Sequence, residues 1–299
     1  MQTYPNEKKV TITSSTDISY TNANTIGTDY DLLEVLNYDS LIMTSIYFKV
    51  KVLKFDPTLT IMKLSIDSHD YAKETLEEVI LCPSIVEISS NCFYHWTKLS
   101  KINLENVKKI GTDAFSFTNI SSITIPTDVD ADSPFNGCKH LNSITLTGES
   151  SSIDVRVFYG LFSPPNVSIS NCNSLEVKNY GIINKQTLKL LLYISNSEIN
   201  NSIPNEIDII SPDAFICSKK YIKTIKFLSN SLINLPDRLF ENNIALETVE
   251  FSSKVMSIGK RCFANCENLR ELNLQYVFAI SDLCFYRVSN FFPASTFPH

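Results

Sequence analysis

The chain contains little glycine and no long apolar run. Seven glycines occur among 299 residues, against a usual share of about 7%. Its turns must therefore be built from Asn, Ser and Asp, which tolerate unusual backbone angles and bond their own main chain. The longest strongly apolar run, 188–194, is interrupted by Lys189 and falls far short of the roughly 20 residues that a membrane-spanning helix needs. Membrane insertion is therefore not expected.

Clustered positive charge is also missing. The formal net charge is −6, the pI is about 5.3, and Lys108–Lys109 and Lys219–Lys220 are isolated pairs. Because phosphate recognition needs a clustered positive field, no nucleic acid partner is expected. Residues 1–25 show no charged start followed by an apolar stretch, as a secretory signal would. Without such a signal the default location is the cytoplasm.

Motifs for catalysis and cofactors are absent too. The sequence has no Gly-rich phosphate loop, no H-E-x-x-H and no G-x-S-x-G. Its four histidines are scattered, and His95 and His140 are expected in exposed turns. Cys262 and Cys266 are a single pair at spacing four, without the second pair or the His of a zinc site. We therefore expect no catalytic residue, metal or cofactor, and an enzyme is the least favoured alternative.

The sequence does contain a repeat of about two dozen residues. A strand phrase, apolar-x-x-apolar-x-apolar, starts at Leu76, Leu99, Ile120, Leu141, Ile222, Leu246 and Leu269. A second landmark, a Phe after a small or apolar residue, recurs at Phe93, Phe115, Phe135, Phe215, Phe240, Phe263 and Phe285. Such a period predicts a solenoid, in which each unit stacks on its neighbours to bury its apolar face. The Phe residues are expected to form one internal ladder.

Alternation within the strand phrase predicts which side chains point inward. Its fourth and sixth positions are apolar and the fifth is not, as in a strand with one buried face. The inward residues are then Val79/Leu81, Ile102/Leu104, Ile123/Ile125, Ile144/Leu146, Ile225/Phe227, Val249/Phe251 and Leu272/Leu274. Units this short must coil the same way each time, so the strands are expected to pair in parallel as one continuous sheet.

This pattern resembles the leucine-rich-repeat superfamily, and more closely its BspA-like surface-antigen branch. Units of that branch read roughly L-x-x-I-x-I-P-x-x-V-x-x-I-G-x-x-A-F-x-x-C-x-x-L, and residues 246–269 match nearly position for position. Segments 76–141 and 203–291 also match, and 142–202 matches in pieces. The resemblance implies a β-rich solenoid, α/β only in the broad sense. It is a right-handed curved coil with one continuous parallel sheet on the concave face and a mostly irregular or short-helical convex side.

The resemblance also implies a hairpin inserted between repeats. Two apolar runs within 180–193 flank the turn-forming residues 184–187, which supports that expectation. At three places, Trp96, Thr118 and Asn243, the chain departs from the Cys that the family often has. Gly111 and Gly259 share one repeat position with several serines, so a strictly positive φ is not expected there.

We expect two regions. Residues 1–75 form an N-terminal region that includes a cap, with a short helix around 31–37 and a strand over 46–55. Residues 76–299 form the leucine-rich-repeat domain, irregular over 142–202. At its end, Phe291, Phe292 and Phe297 fold back as a second cap, or the chain is a fragment of a longer array.

The cysteines are expected to be packing residues and not disulfides. Cys92, Cys262 and Cys284 precede a ladder Phe, and Cys138 and Cys266 lie three residues after one. A free Cys behaves as a small buried hydrophobe. These five thiols are therefore expected inside the core.

The outward positions of the strand phrase are the candidate binding face. They include Lys101, Asn103, Ser122, Thr124, Ser143, Thr145, Thr224, Lys226, Thr248, Glu250, Glu271 and Asn273. Small polar side chains on a rigid sheet suit recognition of a protein or peptide, although Thr also simply suits strands. We expect a non-enzymatic interaction protein of unknown oligomeric state. The resemblance implies a surface antigen active in adhesion, and an intracellular scaffold is the alternative.

Overall fold

The computed structural model describes residues 9–12, 29–35, 49–60, 63–64 and 71–289. The chain divides into two compact units, one of residues 1–148 with 156–162 and one of 149–155 with 163–299. Each unit is a coil of short, mostly parallel strands, and the only helical segments among the described residues are the 3-10 turns Tyr71–Glu74 and Val155–Phe158. The predicted leucine-rich-repeat solenoid is therefore confirmed as the fold.

In the first unit the strands form parallel ladders on two sides of the coil. In chain order they are β1 (Lys9–Ile12), β2 (Asp29–Val35), β3 (Lys49–Phe55), β4 (Lys63–Leu64), β5 (Glu78–Ile80), β6 (Glu87–Ile88), β7 (Lys101–Ile102), β8 (Lys109–Ile110), β9 (Ser122–Pro126), β10 (Asp130–Ala131) and β11 (Ser143–Thr147). The main ladder has the sections β1-β2-β3-β5-β7 and β9-β11, in which β5, β7, β9 and β11 are predicted strand phrases. Two-residue strands form a second ladder, β4-β6-β8-β10. Each strand of this second ladder ends on a buried apolar residue, namely Leu64, Ile88, Ile110 and Ala131.

The short helix expected around residues 31–37 is wrong. Asp29–Val35 is a strand that pairs in parallel with both β1 and β3. Ladder pairing on both edges satisfies its backbone groups and overrides the local sequence preference. The strand expected over 46–55 is confirmed over Lys49–Phe55, which also pairs with β5. The boundary after residue 75 and the N-terminal cap stay predictions.

The second unit combines an antiparallel insertion with the same two ladders. Its strands are β12 (Asn166–Ser170), β13 (Leu175–Lys178), β14 (Gly181–Asn184), β15 (Lys189–Tyr193), β16 (Asn201–Ile203), β17 (Ile209–Ile210), β18 (Thr224–Phe227), β19 (Asn234–Leu235), β20 (Thr248–Glu250), β21 (Ser257–Ile258), β22 (Glu271–Leu272) and β23 (Ala279–Ile280). The predicted hairpin is the antiparallel pair β14 and β15, and β13 adds a third strand to it. The main ladder is β16-β18-β20-β22, and the second ladder includes β19-β21-β23.

A stack of aromatic rings fills the core of each unit. In the first unit Phe93, Phe115 and Phe135 are fully buried, with neighbouring ring centroids 5.5 Å apart. In the second unit the rings of Phe215, Phe240, Phe263 and Phe285 follow one another, with successive centroid spacings of 4.6, 5.3 and 5.7 Å. The predicted ladder is thus confirmed within each unit. Tyr193, which the repeat pattern did not identify, extends it at 5.2 Å from Phe215.

The inward side chains also lie where the alternation places them. Of the fourteen expected, twelve are buried, and Ile102 and Phe251 are half-buried. All eight cysteines are free, and the five assigned to the core are buried. Gly259 has no positive φ, as expected, but a Cβ there would lie 2.5 Å from the Asp237 nitrogen. Close approach of the preceding turn therefore explains this glycine.

Backbone hydrogen bonds join successive turns along the ring stack as well. Around Phe240, the N–H groups of Arg238, Phe240 and Asn242 donate to the carbonyls of Lys260, Cys262 and Ala264 in the next turn at 2.8–2.9 Å. The N–H groups of Glu241 and Asn243 instead bond within their own turn, to the carbonyls of Arg238 and Phe240. This alternation requires left-handed backbone two residues before and after the Phe: φ is 60° at Arg238 and 64° at Asn242.

At three turns a side-chain donor also bonds this backbone from inside. The Sγ of Cys138 donates to the carbonyl of Phe115 at 3.1 Å, and the Sγ of Cys266 donates to that of Phe240 at 3.0 Å. Ser218 makes the equivalent bond to Tyr193 at 2.9 Å. At these three places, the residue three positions after a ladder aromatic thus joins its turn to the one before.

Candidate functional site

The outward side chains of the main ladder form the candidate site, here called the outer strand face. Since successive residues of a strand point to opposite sides, burial of the inward residues fixes these side chains toward solvent. None of the twelve candidate residues is buried. Six lie in the first unit and six in the second. Their role in binding stays a prediction.

In the first unit the face contains a two-by-two array of hydroxyl groups. Ser122 is in register with Ser143, and Thr124 with Thr145, across the parallel pair β9 and β11. Beneath the array, Ile123, Ile125, Ile144 and Leu146 are buried. Neighbouring parallel strands lie about 4.8 Å apart, so the four side chains form a flat, uncharged patch on a fixed base.

Asn103 uses its side chain for a structural task. Its Oδ1 accepts the N–H of Leu81 at 2.7 Å, and its Nδ2 donates to the Leu81 carbonyl at 3.2 Å. The amide therefore continues the backbone pairing of β5 and β7 beyond Ile102. Lys101, its neighbour on the face, is exposed.

In the second unit the face is mixed in charge and partly paired. Thr224, Thr248 and Glu271 are in register on successive strands. Lys226 and Glu250 form an ion pair at 2.9 Å, with both side chains more than half exposed. Asn273 accepts the N–H of Gln275 at 2.9 Å. The hydroxyl array of the first unit therefore offers the less charged surface.

The buried thiols are poorly suited to nucleophilic chemistry. Burial raises the pKa of Cys266 and of Cys284 to about 12, so both are protonated at neutral pH. Among the described residues no group of three or more His, Cys, Asp or Glu side chains could hold a metal ion. His95 and His140 are exposed, as predicted. His69 and His299 lie outside the described residues.

No helix in the described part of the chain is long and apolar enough to cross a bilayer.

The structure shows a surface that the repeat analysis missed, a row of exposed apolar residues in the second unit. Ile233, Met256 and Phe278 are 48%, 43% and 71% exposed. Each directly follows a buried aliphatic residue, so apolar pattern alone did not separate the exposed residue from its buried neighbour.

Comparison with known proteins places the chain among leucine-rich repeats. Six copies of the BspA-type leucine-rich repeat region match residues 64–189 and 192–292. No curated protein sequence matches the chain.

The chain is also similar to solved structures at low identity. A leucine-rich cell surface protein from Faecalibacterium prausnitzii A2-165 is 20% identical, with 88% of this chain and 82% of that one covered and a TM-score of 0.46. The pneumococcal vaccine antigen PcpA is 18% identical, with coverages of 87% and 67% and a TM-score of 0.44. A leucine-rich repeat protein from Bacteroides ovatus ATCC 8483 is 20% identical, with coverages of 91% and 85% and a TM-score of 0.42. On the family match over most of its length, the chain belongs to the BspA-type leucine-rich-repeat family.

Proposed function

We propose that the chain is a non-enzymatic binding module that receives a protein or peptide on the outer strand face of its first unit. The hydroxyl array of Ser122, Thr124, Ser143 and Thr145 carries this proposal. Hydroxyl groups both donate and accept hydrogen bonds, and their small size lets the backbone of a partner approach the sheet. Since the array is held in register by two paired strands, little ordering of the face is needed on binding.

The second part of the proposal is a role as a surface antigen active in adhesion. It rests on membership of the BspA-type family. Protease shaving of intact cells that produce the full chain, followed by peptide detection, tests this location. Recovery of peptides only after the cells are lysed would contradict it.

Site-specific crosslinking can identify the partner that the binding test needs. A photoreactive phenylalanine analogue at Ser122 places the crosslinker on the outer strand face. The same analogue at Thr112, an exposed turn residue, is the control. A protein that crosslinks from Ser122 but not from Thr112 is then purified for affinity measurements.

The affinity test replaces Thr124 and Thr145 together by Arg. Bulk and unpaired charge should block close approach and weaken partner binding at least tenfold at an unchanged melting temperature, because exposed substitutions usually shift stability by about 0.5 kcal/mol or less. The matched control is Lys108→Arg with Thr112→Arg. If the face variant binds with wild-type affinity while the control variant does not, the binding surface lies away from the strands.

A further inference from the structure

The second ladder has opposite surface chemistry in the two units. In the first unit its outward residues alternate in charge through Lys63, Glu87, Lys109 and Asp130, which are in-register partners on successive strands. Lys63 and Glu87 form an ion pair at 2.7 Å, and Arg156 pairs with Asp130 at 2.9 Å. These charged side chains are well solvated, and this surface presents no apolar area that a partner would need to bury.

In the second unit the section β19-β21-β23 of this ladder is uncharged and bordered by the exposed apolar row. Its in-register outward residues are Asn234, Ser257 and Ala279. Ile233, Met256 and Phe278 directly precede them, and we name these three residues the apolar stripe. These uncharged ladder residues have small side chains, and the apolar stripe beside them has larger ones. A surface selected only for solubility would not combine the two.

Backbone hydrogen bonds hold the stripe in line. The N–H of Met256 donates to the carbonyl of Ile233 at 2.8 Å, and the N–H of Phe278 donates to that of Met256 at 2.8 Å. The preceding residues Leu232, Val255 and Val277 are buried. The core positions are thus already filled, so the exposure of the stripe does not result from a shift in strand register.

The size of the stripe restricts its occupant. A large apolar side chain covers about 150–250 Å², so three such residues at 43–71% exposure present about 300 Å² together. A stable interface between two copies of a protein buries about 800 Å² per partner. The stripe alone is therefore too small for a stable homodimer, but its area suits a short segment with few anchors.

The spacing of the stripe indicates the form of that segment. Strands about 4.8 Å apart place the first and third stripe residues about 10 Å apart. In an extended peptide, side chains on one face are about 6.7 Å apart, so two of them fit within the stripe and a third does not. The small residues beside the stripe leave room for the backbone of the peptide.

Charge argues against a lipid surface as the occupant. Bilayer-binding surfaces combine apolar residues with Lys and Arg that meet anionic headgroups. The ladder residues beside the stripe are uncharged, and the chain as a whole has a formal net charge of −6.

We propose that the apolar stripe is a docking site for an extended segment of a partner protein that presents two apolar side chains separated by one uncharged residue. This site lies in a different unit from the hydroxyl array and does not depend on the function proposed for it.

The test follows the methyl signal of Met256 in the full chain labelled with ¹³C-methyl methionine. The chain has four methionines, and Met256→Leu assigns the signal. Titration with the peptide acetyl-Ser-Phe-Thr-Phe-Ser-amide should shift this signal with saturation, whereas acetyl-Ser-Asp-Thr-Asp-Ser-amide should not. The double variant Ile233→Ser with Phe278→Ser should raise the apparent Kd for the Phe peptide at least tenfold.

Lys108→Ser is the matched control, because Lys108 bonds the Val86 carbonyl in the first unit as Met256 bonds that of Ile233. It should change the Kd by less than twofold. If the double variant melts early, Phe278→Ser alone replaces it. The proposal is overturned if the Met256 signal ignores the Phe peptide or responds equally to the Asp peptide. A shift with protein concentration alone would instead assign the stripe to a second copy, and a shift only with phosphatidylcholine vesicles would assign it to lipid.

Discussion

The residue three positions after a ladder aromatic has two tasks where it is Cys or Ser. It fills a small inward site, and in Cys138, Cys266 and Ser218 it also donates a hydrogen bond to the aromatic residue of the preceding turn. The carbonyls of Phe115 and Phe240 also accept the backbone N–H of Thr118 and Asn243, so loss of the side-chain donor would remove one of two hydrogen bonds, and a typical hydrogen bond contributes about 0.5–1.5 kcal/mol. The Cys typical of this position in the family can therefore be read as a small side chain that carries a donor.

Ser and Ala at position 266 should separate these two tasks. Cys266→Ser keeps a side-chain donor for the Phe240 carbonyl, and Cys266→Ala removes that donor. The two variants leave voids of similar size where the sulfur was. The Ala variant should therefore be less stable than the Ser variant by about 1 kcal/mol. Urea unfolding measures this difference. If Ala is as stable as Ser, packing alone determines the position.

Sequence reasoning found the inward location of these residues but not the hydrogen bond. The donor column is obscured where the chain departs from Cys. Trp96 and Asn243 occupy it with buried side-chain nitrogens, Nε1 and Nδ2, that have no partner among the described residues. Because Trp, Asn, Ser and Cys share no simple hydropathy, no periodic pattern identifies the column.

Buried acidic groups give the fold a stability that decreases at high pH. Burial raises the pKa of Cys266, Cys284 and Tyr193 to about 12 in the folded chain, from ordinary values of 9.0, 9.0 and 10.0. Above pH 9 the unfolded chain loses these protons first, so rising pH favours unfolding. The free energy of unfolding should fall by up to about 1.4 kcal/mol per pH unit for each group, between pH 9 and 12 for the two thiols and between pH 10 and 12 for Tyr193.

Urea midpoints at pH 8 and pH 10 measure this dependence. In Cys266→Ser with Cys284→Ser the fall should be shallower, because the introduced hydroxyls do not titrate in this range. A double variant with the same pH dependence as the wild type would show that these thiols do not contribute.

At the scale of elements, pattern length determined which features could be predicted. The main-ladder phrase supplies two inward residues with a polar one between, so its alternation is readable. Strands of the second ladder contain only two residues, such as Ser257–Ile258, which is too short for an alternation. Tyr193 was missed because β15 serves both the hairpin and the ring stack, and the hairpin accounts for its apolar run.

The ring stack should be the most sensitive element to truncation. Phe263 is fully buried and stacks on Phe240 and Phe285. Phe263→Ala should leave a cavity and lower the free energy of unfolding by about 3–5 kcal/mol. Phe117 is 36% exposed, so Phe117→Ala should lower the free energy of unfolding by much less. Chemical unfolding of both variants checks this, and equal small losses would contradict the inward assignment.

At the scale of the whole chain, the ion pairs are mostly exposed and join neighbouring turns. Lys63–Glu87, Lys108–Asp128, Lys223–Glu198 and Lys226–Glu250 all lie at 2.6–2.9 Å with solvent-accessible side chains. Exposed pairs contribute little individually and are screened by salt. Their role is better described as favouring one register of the coils than as adding stability.

Salt should accordingly have a small effect on stability. Raising NaCl from 0.05 to 1 M should change the free energy of unfolding by no more than about 1 kcal/mol, since apolar burial supplies most of the stability. Urea unfolding at both salt concentrations measures it. A loss of several kcal/mol would mean that the charge pairs stabilise the coils to a much greater degree.

The fold could be predicted from the sequence, while the identity of a partner could not. A repeat has to satisfy the same packing at every turn, so the inward positions can be identified from many copies even where a single copy departs from the pattern. The hydroxyl array has no such redundancy. Ser122 and Thr124 satisfy the demands of an exposed strand and the demands of a binding face equally well, and only a bound partner separates the two.

The alternating N–H directions around the ring stack also affect how such a chain can evolve. Each turn presents the preceding turn with the same set of acceptors, as Lys260, Cys262 and Ala264 do for the turn that contains Phe240. A duplicated stretch of one repeat would meet matching partners on both sides as soon as it was translated. Duplication of whole repeats can therefore lengthen the array, and deletion of whole repeats can shorten it, without a new interface.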